Sequence, residues 1–450
     1  MSTLVLFVLL GCVGNGNIAE GEPTATTDSD LPVEPPPETT VDCPLVRDAA
    51  LDLAAADRVT GEGDSDQLGS GVAAVGDGRW LLGALGADAY AGAVVVYGGS
   101  DSATLKGDTT SSAGSAVAAG DLDGDGLPEV VVGGRSASAG VGQPGSVWIV
   151  DGATNLSGNA QLSAIGVRLD GTVHGGWAGH SLATPGDVDG DGLGDIIVGS
   201  PYFGTEYVPE QGGVWLVSGL KADGPLDEAG AFIPGAVETD TGWTLAGVGD
   251  SDGDGLADYL VGAPFADPAR VFLLSSSVAA TVEDSAIVTF KASTDVSTLG
   301  GGLDGPGDFD GDGLNDLLLG DANKDRVFLM PGGLAGEVGV DQALAGLASG
   351  EVGSQFGDSV AGGDFDCDGI LDVAVGAPNP GGEGSAVVLM YGPFSGEVDA
   401  STGISADGGS DLLGYAMAAG DSNGDGLWKL AVAAPLADAG GTDLGIVYLF

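Results

Sequence analysis

The chain has 450 residues, of which 66 are acidic and 12 basic, for a formal net charge of −54. That balance excludes nucleic acid and anionic membrane surfaces as partners, since both would repel it. Glycine and proline are abundant, at 85 and 21 residues, yet 43% of the chain is hydrophobic, so tight turns in a folded all-β protein explain the glycines better than disorder does.

The chain opens on "LVLFVLLGC", residues 4–12, an apolar run too short to span a bilayer as a helix. It resembles a bacterial lipoprotein signal, in which residues 1–11 are removed and Cys12 carries lipid. The preceding "MST" has no Lys or Arg, whereas a signal peptide wants a positive start, so an ordinary secretory signal or a misplaced start is the alternative. Residues 12–43 are rich in Pro and acids and read as a tether. The expected location is exported, as an outer-membrane or cell-surface lipoprotein, or else secreted. Membrane contact is then expected only through the N-terminal lipid.

From about residue 44 the pattern becomes periodic. "LGSGVAAVGDGRWLLGALGADAYAGAVVVYGG" has three apolar segments and a shortened loop without acids. The next unit carries "GDLDGDGLPEVVVGG", residues 120–134. Here Asp121, Asp123 and Asp125 stand at positions 1, 3 and 5, Gly126 at 6, and Glu129 at 9. This order converges oxygens on one ion, with the backbone carbonyl of Leu127 at position 7 as a further ligand. Hard oxygens without interleaved Cys or His favour calcium over zinc. An EF-hand needs a Glu at position 12 and a helix on each side, but position 12 is Val132 and a β-branched run follows, so the loop feeds a strand.

The loop returns four times. Asp187, Asp189, Asp191, Leu193 and Asp195 form the second; Asp250, Asp252, Asp254, Leu256 and Asp258 the third. Asp308, Asp310, Asp312, Leu314 and Asp316 form the fourth; Asp364, Asp366, Asp368, Ile370 and Asp372 the fifth. About five calcium ions are therefore expected. A sixth copy, residues 421–429, has Asn423 and Lys429 in place of acids and is expected to be empty or weak. Starts at 121, 187, 250, 308, 364 and 421 give steps of 56 to 66 residues. Each period holds three clear strands and room for a fourth, which is the signature of a β-propeller blade. With the degenerate unit upstream there are seven.

"QFGDSVAGGDFDCDGILDVAVGAP", residues 355–378, carries Phe-Gly, the acidic loop and Gly-Ala-Pro in order. The repeats resemble FG-GAP repeats of the integrin α-subunit propeller and bacterial FG-GAP repeat lipoproteins, over roughly residues 45–450. Elsewhere the Phe-Gly position reads Leu68-Gly69, Ala113-Gly114 and Ala178-Gly179. The resemblance implies that the acidic loops join the first and second strands of each blade on one face, with partners meeting the opposite face. The fold expected for residues 44–450 is an all-β, seven-bladed propeller with four-stranded antiparallel blades.

The chain ends on "GIVYLF", the third strand of the last unit. Residues near 50–60 are thus expected to cross over as its outer strand and close the ring. A helix from "AALDLAAAD" is the competing reading.

Catalytic chemistry is thinly represented. His174 and His180, flanking Trp177, are the only histidines, and no nucleophile motif accompanies them. Trp80, Trp148, Trp215 and Trp428 fall in predicted strands and are expected to pack. With Cys12 assigned to lipid, Cys43 and Cys367 remain, either as a disulfide or as two thiols. In the long connection 200–213, Tyr202, Phe203 and Tyr207 either anchor a partner or pack the loop down. The function expected is a monomeric, non-enzymatic, calcium-stiffened binding or adhesion module for a protein or glycan. The alternative is a propeller hydrolase or lyase acting on surface polymers.

Overall fold

The computed structural model describes residues 51–98, 102–137, 142–154, 156–204, 211–236, 239–276, 278–292, 297–350, 353–379, 384–409, 411–421, 425, 427–438 and 442–450. The signal segment, Cys12, the tether, Cys43, Tyr207 and Asn423 lie outside these.

The described strands form seven sheets of four or five strands each. Their inner strands are Leu68–Ala74, Ala113–Gly120, Leu182–Gly186, Thr244–Gly249, Leu299–Gly307, Ser359–Gly363 and Met417–Gly420. Each touches the next, and the seventh touches the first. The product is a closed propeller of seven blades.

Blade 2 shows why these residues become strands. Its second strand, Glu129–Gly134, carries Val130, Val131 and Val132, all fully buried. Val130 and Val132 pack with Leu81 and Val94 of blade 1, whereas Val131 packs with Ile196 and Trp215 of blade 3. A strand covered on both faces needs a continuous apolar run and not an alternating one. Each such valine contributes about 1.5–3 kcal/mol relative to exposure.

The two glycine signatures meet each other. Gly357 and Gly414, in the Phe-Gly-type position, have φ of +98° and +81°, a region costly for residues with a Cβ. Gly376, of the Gly-Ala-Pro segment, faces Gly414 of the next blade so closely that a Cβ would collide with the Gly414 carbonyl. Blades therefore approach backbone to backbone at this level.

The N-terminal segment closes the ring. Strand Asp57–Thr60 pairs antiparallel with Ile446–Leu449, Asp57 opposite Leu449 and Thr60 opposite Ile446. Ahead of it, residues 53–55 form a turn and Leu51 is buried. Leu162, Leu226 and Val282 occupy the matching place, each buried at the start of a one-turn helix before its outer strand. The alanine run therefore forms a turn and a strand, and the longer helix does not form.

One feature goes beyond the expected four-stranded plan. Segments Gly158–Gln161, Gly224–Pro225, Gly336–Gly339 and Gly396–Asp399 add a parallel fifth strand to the preceding blade. The chain thus crosses to its neighbour's edge before returning as its own outer strand, which covers edges that would otherwise be open.

Candidate metal centres and the opposite rim

The acidic loops join first and second strands, all on one face. In blade 2 the Asp121 carboxylate accepts from the backbone N–H of Gly124 (2.8 Å) and Gly126 (3.0 Å). Asp123 accepts from Asp125 N–H (3.1 Å), and Asp125 from Leu127 N–H (2.8 Å). These bonds curl the loop so that its acids converge. Glu129 at position 9 opens the strand, is fully buried, and accepts from Leu122 and Gly152 N–H at 2.6 and 3.1 Å.

In four loops the oxygens that gather are those of positions 1, 3 and 9. Asp121, Asp123 and Glu129 meet within 4.8 Å, as do Asp187, Asp189 and Asp195; Asp308, Asp310 and Asp316; and Asp364, Asp366 and Asp372. The blade 4 loop gathers Asp250, Asp252 and Asp254 instead, with Asp258 beside them, accepting from Asp252 N–H (3.2 Å) and close enough to Asp252 for the two charges to repel. In all five loops the position-5 acid, Asp125, Asp191, Asp254, Asp312 or Asp368, accepts from the position-7 N–H. Leu127, Leu193, Leu256, Leu314 and Ile370 thus have their N–H groups tied to position 5.

The position-9 acids bear the electrostatic strain. Burial pushes the carboxyls of Glu129, Asp195 and Asp316 up, that of Asp258 up to about 6 and that of Asp372 up to about 7. Their backbone hydrogen bonds oppose the shift without cancelling it. One oxygen each of Asp195, Asp258 and Asp364 is buried without any hydrogen-bond partner. Converged carboxylates, one of them buried in four of the groups and several with an orphaned oxygen, suit a hard divalent cation. Several such clusters could therefore hold metal ions.

The sixth copy, in blade 7, differs as its residues predict. Lys429 at position 9 places its ammonium 3.5 Å from Asp425 at position 5, so a resident cation stands where the other loops bring a third acid. In the blade 6 loop, Cys367 takes the position that glycine holds elsewhere, at φ +58°, and is disulfide-bonded. Its expected partner, Cys43, lies outside the described residues.

Adjacent loops are also tied together, which the sequence did not reveal. Gly194, Ala257 and Asn315 N–H donate to the carbonyls of Asp121, Asp187 and Asp250 at 3.1, 2.9 and 3.2 Å. Each bond runs from position 8 of one loop to position 1 of the loop before it.

The opposite rim is aromatic. Trp243 packs against His180 (centroids 4.6 Å), edge-on to Phe265 (4.7 Å) and Tyr202 (6.0 Å). Tyr202 also meets Trp177 edge-on at 4.7 Å, and the Arg135 guanidinium lies 5.3 Å from the Trp177 ring centre. Phe265 is 52% and Tyr415 42% exposed. Phe203 departs from the anchor reading: it packs on Trp215 and Phe232 in the core, because the loop turns it inward. Trp80, Trp148 and Trp215 are buried, but Trp428 precedes its strand and lines the other end of the central channel. His174 is exposed and takes no part in the aromatic group. Trp243, Phe265, Asp358 and Tyr415 were missed as a group; the available signal was that Trp243, Asp358 and Tyr415 each directly follow the Phe-Gly-type glycine, while Phe265 follows Gly-Ala-Pro.

Comparison with known proteins agrees with this architecture. Residues 113–150 and 178–217 match the FG-GAP repeat model, and 308–375 match an FG-GAP-like repeat model. Integrin alpha-7 of Mus musculus is 36% identical over 171 residues, 38% of this chain and 14% of that protein. Integrin alpha-PS2 of Drosophila melanogaster is 30% identical over 252 residues, 52% of this chain and 17% of that protein. Phosphatidylinositol-glycan-specific phospholipase D of Bos taurus is 33% identical over 162 residues, 32% of this chain and 19% of that protein. The matches thus span less than a fifth of each of these relatives. The chain is a seven-bladed β-propeller of FG-GAP repeats, similar to the N-terminal domain of integrin α chains.

Proposed function

We propose that this propeller is a calcium-stabilised, non-enzymatic binding module of the cell exterior, which meets a protein or glycan with the rim opposite its acidic loops. The observation that carries the reading is the orphaned, buried carboxylate oxygens of Asp195, Asp258 and Asp364, which would be satisfied by a bound cation and so give the chain's concentrated acids a use as ligands. Asp121, Asp123 and Glu129 would hold one ion, with their counterparts in the other four intact loops; the sixth copy would hold none. Calcium supplies charge that neutralises the converged carboxylates and clamps loop to strand.

Similarity to integrin α chains supports an exported, surface-exposed protein. Cys12 would carry the lipid and residues 12–43 would form the tether, with simple secretion as the alternative. The match to a phospholipase keeps one other reading in view, a propeller enzyme acting on surface polymers. Labelled full-length chain is applied to intact cells and to immobilised surface polysaccharide, in about 1 mM calcium or in chelator. Adherence in calcium that is lost in chelator, without release of soluble fragments, is expected. Failure to adhere in calcium, or depolymerisation, overturns the reading.

A further inference from the structure

In each repeat, the residue that follows the Phe-Gly-type glycine stands at the same level of the ring. Around the seven blades these residues are Ser70, Ser115, His180, Trp243, Gly301, Asp358 and Tyr415. Trp243 and Asp358 are separated on the ring by Gly301, which has no side chain to fill the gap. The cavity there measures about 260 Å³ and is lined by His180, Trp243, Gly301, Asp358 and Tyr415, among others. That is below the usual range of drug-sized sites, roughly 300–1,000 Å³, and suits a single small ring.

The chemistry of the walls selects the ligand. His180 Nδ1 is shut off from solvent and has no hydrogen-bond partner. Desolvation, and then the nearby Arg135 charge, push its ring down to about 3, so it is neutral and offers a lone pair or an N–H. The Asp358 carboxyl is pushed up by burial to about 6, and no salt bridge to it occurs among the described residues. An apolar ligand would leave both groups unsatisfied. A polyanion would meet Asp358 and a net charge of −54. A guanidinium or ammonium would compete with Arg135, which already lies over Trp177 and whose charge reaches both His180 and Tyr415. What remains is a neutral ring with an apolar C–H face and outward hydroxyls. Trp243 is held for stacking by His180, Tyr202 and Phe265, so little order is lost when a ligand settles on it.

We propose that the channel mouth opposite the acidic loops is a carbohydrate site that takes one neutral hexopyranose unit, stacked on Trp243 and hydrogen-bonded by Asp358 and His180. The assignment rests on the binding-module reading above.

The test titrates full-length, calcium-loaded protein with neutral hexaoses of glucose, mannose and galactose, following tryptophan fluorescence and heat. Oligogalacturonate and Nα-acetylarginine amide serve as the anionic and cationic probes. The expected result is saturable binding of at least one neutral series below about 10 mM, weakened about tenfold in Asp358→Asn and beyond detection in Trp243→Ala. A single cooperative unfolding transition, at a melting temperature no lower than the parent's, certifies each variant, and Asp358→Asn stands alone should Trp243→Ala fail to fold. The assignment falls if no neutral series binds, if only the charged probes bind, or if folded variants bind sugar like the parent. The cell-adherence assay, run in parallel, judges the binding-module reading separately: adherence without sugar binding removes this site and leaves the module.

Discussion

Replacing Asp258 by Asn should change the sign of its effect with calcium. In the structure one Asp258 oxygen accepts from Ser251 N–H (2.9 Å), Ser251 Oγ–H (2.8 Å) and Asp252 N–H (3.2 Å), while the other is buried without a partner. Burial raises this carboxyl from 3.8 to about 6, so above pH 6 the ionised side chain costs the metal-free fold roughly 3 kcal/mol at most, at about 1.4 kcal/mol per unit. Asn keeps the accepting oxygen and removes the charge, but its buried N–H₂ lacks an acceptor, which returns about 1–2 kcal/mol. In chelator at pH 7.5 the variant should therefore be more stable than the parent by about 1 kcal/mol. At 10 mM calcium, a site with Kd of about 10⁻⁴ to 10⁻³ M stabilises the parent by about 1.4–2.7 kcal/mol, most of which the variant forgoes. The other loops are common to both proteins, so their contributions cancel in the difference. Urea unfolding of both proteins, with and without calcium, should give curves that exchange order. A variant that is less stable in both conditions by the same amount would refute the assignment of Asp258 to a metal.

Three further outcomes are expected. A chain beginning at residue 61 should unfold at distinctly lower urea than one beginning at residue 51, because it loses buried Leu51 and four paired residues opposite Ile446–Leu449, worth about 4–7 kcal/mol together; coincident transitions would show that the closing strand is dispensable. Native mass spectrometry of Asn423→Asp with Lys429→Asp should find one more calcium than in the parent, since the resident ammonium 3.5 Å from Asp425 is gone; equal loading would count against the lysine as the reason that loop is empty. For Asp358 the folded carboxyl, at about 6, lies above its ordinary 3.8, so it binds more protons folded than unfolded, and the parent should gain stability relative to Asp358→Asn as pH falls from 6 to 4, then level off; a flat difference across that window refutes a desolvated carboxyl.

Much of this fold is legible because a propeller repeats the same local problem seven times. "VVVGG" and "IIVGS" announce strands buried on both faces, and the nine-residue acidic loop marks where one strand ends and the next begins. The outer elements leave a fainter trace. Gly158–Gln161 reads "GNAQ", mostly exposed, and its parallel pairing is decided by the neighbouring blade's edge and not by any pattern of its own. The ligand order was legible only in part. Spacing nominates positions 1, 3, 5 and 9 alike, yet in four loops the oxygens of positions 1, 3 and 9 converge and in the blade 4 loop those of positions 1, 3 and 5, a distinction that only coordinates draw. Phe203 and Tyr202 are adjacent in a loop, yet one packs on Trp215 and the other meets Trp243 at the rim, a distinction no sequence pattern announces.

The ties between loops explain why position 7 is apolar in a segment otherwise made of acids and glycines. Leu193, Leu256 and Leu314 lie over Gly124, Gly190 and Gly253 of the loop before, within reach of a Cβ if one were present there. The next residue, position 8, then donates its N–H to the position-1 carbonyl of that same earlier loop. Position 1 is also a member of its own carboxylate cluster. A change in one cluster is therefore felt one residue away from the backbone bond that fixes its neighbour, and the apolar side chain shields that bond from water, where it would be weaker. The four clusters that begin at Asp121, Asp187, Asp250 and Asp308 are in this sense links of one girdle on a single face, while the rim that carries Trp243 and Asp358 stands at the far end of the inner strands. A cation that neutralised these clusters would relieve the repulsion among their carboxylates and so steady the ends of the first and second strands that each loop joins.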